Sequence, residues 1–322
     1  MSIASRRLQR TAPRRTSQLP PGGYITIMFG RTNYQATVGR NAIPGKTKTL
    51  IEAAAAMQAR GLFGVGGVVT DRTEQSTRRD IGFYDSASWD DMANLRDNYG
   101  WHFVSQSKSY TSFTLLTTDH DRYVESGQTL ITLEGKGHMN AWGCFNFPTG
   151  PQGPAAGPAV VNQYFAGSRQ YCQLTQWNTQ ASLNNASHDI YAHSAHGGRA
   201  NDPASPGYSI PIFHPTTGAP DYCESPAELA AYLSPPPGQW HILQFYRFVD
   251  GANGAVAKET PNWDTGSADW KKRWTGQQEL FPWKTFIEAL DMRTTDAKCV
   301  HPAEMAELWG RIPLHPHGVP GL

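Results

Sequence analysis

Apolar and polar positions fall in blocks along the first hundred residues. "YITIMF" (24–29) is a short apolar run, rich in β-branched residues and bounded by glycines, and predicts a buried strand. "KTLIEAAAAMQARGL" (48–62) is Ala-rich and stops at Gly61, which predicts a helix closed by a glycine. "FGVGGVV" (63–69) predicts a second buried strand. "SWDDMANLRDNYG" (88–100) opens on Ser88 with Asp91 three residues on, close to a capping box, and stops at Gly100. "WHFVS" (101–105) predicts the third strand. Strand, helix, strand, helix, strand is the rhythm of a parallel sheet or barrel with helices outside.

The pattern is less regular further on. "DRYVESGQTLITL" (121–133) reads as helical at its start, and "PTGPQGPAAGPA" (148–159) as a Pro/Gly loop. Residues 184–222 show little periodicity and predict a long functional or interface loop. "SPAELAAYL" (225–233) predicts a capped helix and "QWHILQFYRFV" (239–249) one strongly apolar strand. Residues 252–278 read as a loop carrying Trp263, Trp270 and Trp274. Helices are predicted over 282–293 and 301–311, with Pro302 at the first helical position of the second. The organisation is an arm (1–22), one domain (23–311) and a short tail (312–322), with no internal repeat.

Composition adds little. With 39% hydrophobic and 17% charged residues in 322, the chain is an ordinary globular one with room for a sizeable core. Charge adds more. Nine of its 28 basic residues precede the first acidic one, Glu52, and the remainder holds 19 bases against 27 acids, a net of −8. Arg6, Arg7, Arg10, Arg14 and Arg15 make the arm cationic. A cationic arm on an acidic body predicts docking of the arm on a protein neighbour, in an oligomer or larger assembly, rather than on nucleic acid. The arm lacks the apolar run of a signal peptide, and no stretch is long enough for a membrane span. Cys144, Cys172, Cys223 and Cys299 form no C-x-x-C pair; a Cys172–Cys223 pairing stays open, and free thiols are the simpler reading.

Candidate chemistry is sparse. "HDIYAHSAHGGR" (188–199) gathers His188, Asp189, His193 and His196, a donor set that suits zinc, although it reads as loop and matches no metalloprotease spacing. "TTDHDRY" (117–123) reads as a capped helix start, and "GVGG" (64–67) lacks the spacing of a phosphate loop. Trp101, Trp142, Trp177, Trp240 and the trio Trp263, Trp270 and Trp274 offer faces for sugar rings, with core packing the expectation for Trp101 and Trp240.

The order of these elements across roughly residues 23–310 resembles the NodB-type polysaccharide deacetylases. The resemblance implies a distorted (β/α) barrel and identifies what has been replaced. The first strand ends "TIMFGRTN", with Gly30 and Arg31 where the family carries its base and first metal-binding Asp. "NYGWHFVS" then "QSKSY" puts Gln106 and Tyr110 at the two metal-binding His. "FNFPTG" (145–150) puts Asn146 at the family's Arg, and "HILQFY" puts Gln244 at its late His. The resemblance therefore implies a barrel without its catalytic residues, with no cofactor or metal. Arg31, Gln106, Tyr110, Asn146 and Gln244, with Trp263, Trp270 and Trp274, are its glycan-binding candidates, and Gly30, Arg31, Gln106, Tyr110 and Gln244 are expected to meet at one mouth. A basic assembly arm on such a barrel resembles the minor tail proteins of bacteriophages, which implies a virion location after synthesis in the host cytoplasm. The alternative is a divergent metal hydrolase with ligands relocated to His188, His193 and His196.

Overall fold

The computed structural model describes residues 22–30, 47–78, 87–148, 156–171, 178–183, 189–194, 211–213, 220–222, 226–245, 247–249 and 280–318. Its main sheet has eight strands, all parallel, of which seven close into a ring. In chain order the seven are β1 (Tyr24–Phe29), β2 (Gly64–Val68), β3 (His102–Ser105), β4 (Phe145–Asn146), β5 (Ser168–Tyr171), β6 (Asp189–Ser194) and β7 (Trp240–Phe245). Each pairs with the next, and β7 returns to β1 in full register, Tyr24↔Trp240 through Phe29↔Phe245. The eighth strand, Lys298–Cys299, pairs with Tyr24 and Ile25. This is the expected α/β fold, a (β/α) barrel distorted by a seven-strand ring and by strands of only two to six residues.

Local chemistry sets the element ends. Helix Leu50–Gln58 starts at Thr49, which accepts from the Glu52 amide while the Glu52 carboxylate accepts from the Thr49 amide. Ser88 and Asp91 make the same reciprocal pair ahead of helix Trp89–Tyr99, and Gly100 ends it at φ 69°. Thr118 caps helix Asp119–Glu125, and His301 accepts from the Glu304 amide to cap helix Pro302–Leu308. Trp101 is core, stacked on Phe29 at 4.7 Å, and Gly64 gives its ring room, since a Cβ there would lie 2.6 Å from it. Trp240 is core as well, donating through Nε1 to Thr26 Oγ1 at 2.9 Å. Thr26 in turn donates to the Val300 carbonyl, so the first strand, the last ring strand and the C-terminal segment share one bonded line.

Several expectations need correction. Thr70–Arg78 is a helix that the pattern did not predict, because it carries no apolar residue to mark a buried face. The helical reading at 121–133 becomes two helices, Asp119–Glu125 and Gly127–Gly135, broken at Ser126. The Pro/Gly loop ends early: Ala156–Tyr164 is helical, its Val160, Val161 and Tyr164 packing inward. Asp189–Ser194, read as loop, is ring strand β6. "QWHILQFYRFV" is two strands. β7 stays in the ring, while Arg247–Val249 joins a second sheet with Thr47–Lys48 and Leu280–Pro282. Among the described residues, no helix is long and apolar enough to cross a membrane.

Candidate functional site

Parallel strands deliver their C-terminal ends to one mouth, where the following residues are released from pairing. Gly30 follows β1 and donates to the Phe245 carbonyl at the end of β7. Gln106 follows β3, its amide held by the Val68 carbonyl at 2.7 Å. Asn146 ends β4, and Gln244 is the penultimate residue of β7. Gln106, Asn146 and Gln244 are all buried, at 1%, 0% and 0% exposure.

Alternation along the strands places them on the same face, the lumen. Asn146 Nδ2 donates to Met28 Sδ at 3.6 Å, and Met28 is the register partner of Gln244. The Cβ that Gly67 lacks would lie 2.7 Å from both Asn146 Nδ2 and Gln106 Oε1, so the absence of a side chain on β2 makes the space in which these amides sit. Cys144 Sγ donates to Asn146 Oδ1 at 3.6 Å. Burial pushes that thiol up to about 12, against the opposing pull of Arg169, so it stays protonated and unreactive.

Arg169 went unrecognised in the sequence. It is 1% exposed and the register partner of Asn146. In "SRQY" it reads as a surface residue among polar neighbours, and pairing alone shows it on the lumen side. Gly67, Met28 and Cys144 were likewise invisible as site residues, because nothing local distinguishes them from core.

The turn after β3 is tightly built. Ser107 and Tyr110 take positive φ (78° and 71°), which side chains adopt at a cost. Glu125 offsets it: its Oε2 accepts from the Lys108 and Ser109 amides, and its Oε1 from Ser109 Oγ. Ser107 Oγ accepts from the Tyr110 amide, and the carbonyls of Ser107 and Lys108 receive the amides of Thr70 and Asp71 at the start of helix Thr70–Arg78. Tyr110 is half-buried beneath the Arg72 guanidinium, 4.8 Å from its ring centre.

Arg31, Trp263, Trp270, Trp274, Trp177, His188 and His196 lie outside the described residues, as do Arg6, Arg7, Arg10, Arg14 and Arg15. His193 lies on β6, where its backbone pairs with Leu243. Trp142 is buried in a turn of 3-10 helix, not presented as a sugar platform. Of the cysteines, Cys144 and Cys299 are free, and Cys172 and Cys223 lie outside the described residues.

The mouth does not fit the divalent ion that the resemblance associates with such a barrel. Among the described residues, its buried strand-end amides Gln106, Asn146 and Gln244 are poor ligands beside imidazole, thiolate or carboxylate, and the buried Arg169 cation stands in register with one of them. Among the described residues, no group of three or more His, Cys, Asp and Glu is placed to hold a metal. The arrangement is instead a set of buried hydrogen-bonding groups. Among the described residues, neither atom of the Gln244 carboxamide has a hydrogen-bond partner, a burial that costs about 1–3 kcal/mol per unsatisfied group.

No protein-family model matches the chain, and no curated protein matches it. Solved structures do. A family 4 carbohydrate esterase from Streptomyces lividans, in complex with acetate, is 13% identical, with 69% of this chain and 79% of that one covered and a TM-score of 0.36. A pseudoenzyme of the same family from Bacillus anthracis is 9% identical, over 88% and 71%, with a TM-score of 0.37. The family 4 domain of a multidomain xylanase from the hindgut metagenome of Trinervitermes trinervoides is 8% identical, over 88% and 98%, at 0.33. At such identities and scores nothing about the site follows from them, and the fold stands on the strand order and register above.

Proposed function

We propose that this chain is a non-catalytic, deacetylase-like binding module whose barrel mouth takes a glycan. The observation that carries the reading is the set of three buried primary amides, Gln106, Asn146 and Gln244, at the ends of three ring strands. Metal-assisted hydrolysis needs ligands that hold an ion and a base beside its water, and neutral amides supply neither. They do supply paired donors and acceptors for hydroxyl groups. The basic arm extends the reading: it docks the chain in an assembly, a virion tail by the resemblance, and its support is the charge separation along the sequence.

Two measurements test this together. Purified protein is expected to hold no stoichiometric zinc, nickel or cobalt, to release no acetate from acetylated chitin or xylan oligosaccharides, and to co-sediment with an insoluble cell-wall polysaccharide. Near one ion per chain, lost in a His188, His193 and His196 triple alanine variant, with acetate release, establishes the hydrolase instead.

A further inference from the structure

Resting on the glycan reading, the structure adds which part of a sugar is taken and by what residue. We propose that Gln244 is the ligand-reading residue of the mouth and that it takes a vicinal diol of a neutral sugar. One hydroxyl donates to Oε1 and its neighbour accepts from Nε2.

The argument starts from the other two amides, which are already placed. Asn146 is oriented by two sulfurs, Cys144 donating to its oxygen and its own nitrogen donating to Met28. Gln106 is fixed through its backbone to Val68 and fills the space left by Gly67, and its side chain has interactions of its own. Gln244 differs: it is fully buried, it shares the lumen face with Met28 and Asn146, and among the described residues both ends of its carboxamide are unbonded. A buried amide in that state is complementary to something that brings one donor and one acceptor side by side.

That requirement discriminates among ligand groups. A carboxylate or phosphate offers acceptors alone, which suits Nε2 and repels Oε1. A metal ion suits Oε1 and repels Nε2. A trans acetamide points its N–H and its carbonyl in opposite directions, so it meets one end of the Gln edge and misses the other. Adjacent ring hydroxyls each donate and accept and lie side by side, so a diol satisfies both ends at once. Arg169, a buried charged side chain in register with Asn146, has interactions of its own; a carboxylate drawn to that charge would not need Gln244, which is why acetate serves as a comparator.

The test is binding by saturation-transfer NMR and equilibrium titration with the methyl glycosides of glucose, mannose and galactose, with acetate and N-methylacetamide as comparators. It uses the full chain and two variants, Gln244→Leu and Gln244→Met, with thermal melts of each. At least one glycoside is expected to bind and both comparators to fail. Each variant is expected to weaken that glycoside at least tenfold while melting no lower than the parent, because it removes an unbonded amide from the interior. Unchanged glycoside binding in the variants, Gln244-dependent binding of acetate or N-methylacetamide, or a lowered melt in both variants overturns the proposal. If no glycoside binds but the cell-wall polysaccharide still does, the diol assignment fails and the glycan reading stands. If neither binds, both fail.

Discussion

His102, at the N-terminal end of β3, stacks on His301, the cap of the last helix, with ring centres 4.0 Å apart and planes 27° from parallel. Asn140 bonds to His102 Nδ1, Phe63 packs edge-on, and Glu304, Lys298 and His138 lie close enough to act on the rings. Burial dominates: it holds His102 below its ordinary 6.5, His138 at about 4 and His301 at about 3. These rings are neutral in the fold and ready to take protons when it opens. The histidine contribution to stability is therefore complete above about pH 6.5, is lost as the pH drops below it, and is exhausted near pH 3 to 4. Each ring contributes a slope of up to about 1.4 kcal/mol per pH unit. Urea unfolding from pH 8 to pH 4 should show that decline. His301→Asn, which keeps a capping side chain without a titrating ring, should make it shallower.

Gly67→Ala should destabilise by about 1–3 kcal/mol, the scale of overpacking a filled core. The new methyl must displace the Gln106 and Asn146 carboxamides together. Gly143→Ala should cost more, because the obstacle there is the backbone of Ala303 rather than movable side-chain ends. Urea midpoints of the two variants rank them, and equal losses would mean that the mouth amides move freely.

Glu125→Ala should loosen the 106–110 turn. It removes the acceptor of two backbone amides and one hydroxyl, a loss of about 1.5–3 kcal/mol for bonds to a charged group. Hydrogen exchange at the Lys108 and Ser109 amides should rise more than at β1 amides. Uniform acceleration would show a global effect instead.

Deleting residues 1–21 should leave stability within about 1 kcal/mol, the usual scale for surface changes, and abolish incorporation into oligomers or particles. The deletion stops at 21 because Gly22 is buried, and a Cβ there would meet the backbone of Asp296 at 2.5 Å. Charge reversal of Arg6, Arg7 and Arg10 should have nearly the same effect on assembly. A truncated chain that assembles normally would refute the role given to the arm.

The first half of the ring was legible because each unit carries its own punctuation: an apolar run, a Ser or Thr cap, a terminal Gly. The second half was not. β4 has two residues and β6 is held by pairing on both sides, so neither needs a periodic pattern of its own. In the sequence, Gln106, Asn146 and Gln244 stood out only through the motif resemblance. That Gln106 and Asn146 share the space over Gly67, or that Arg169 stands beside them, depends on register, which no window of sequence contains.

The seam between β1 and β7 joins residues more than two hundred positions apart, Tyr24 with Trp240 and Phe29 with Phe245. A ribosome making this chain releases β1 early and must finish β7 before the ring can shut. Until then one edge of the first strand stays open to any extended segment that reaches it. The loops that separate the strands thus set how long a nascent chain spends exposed. A chain halted before residue 240 has every other ring strand and no means of closing.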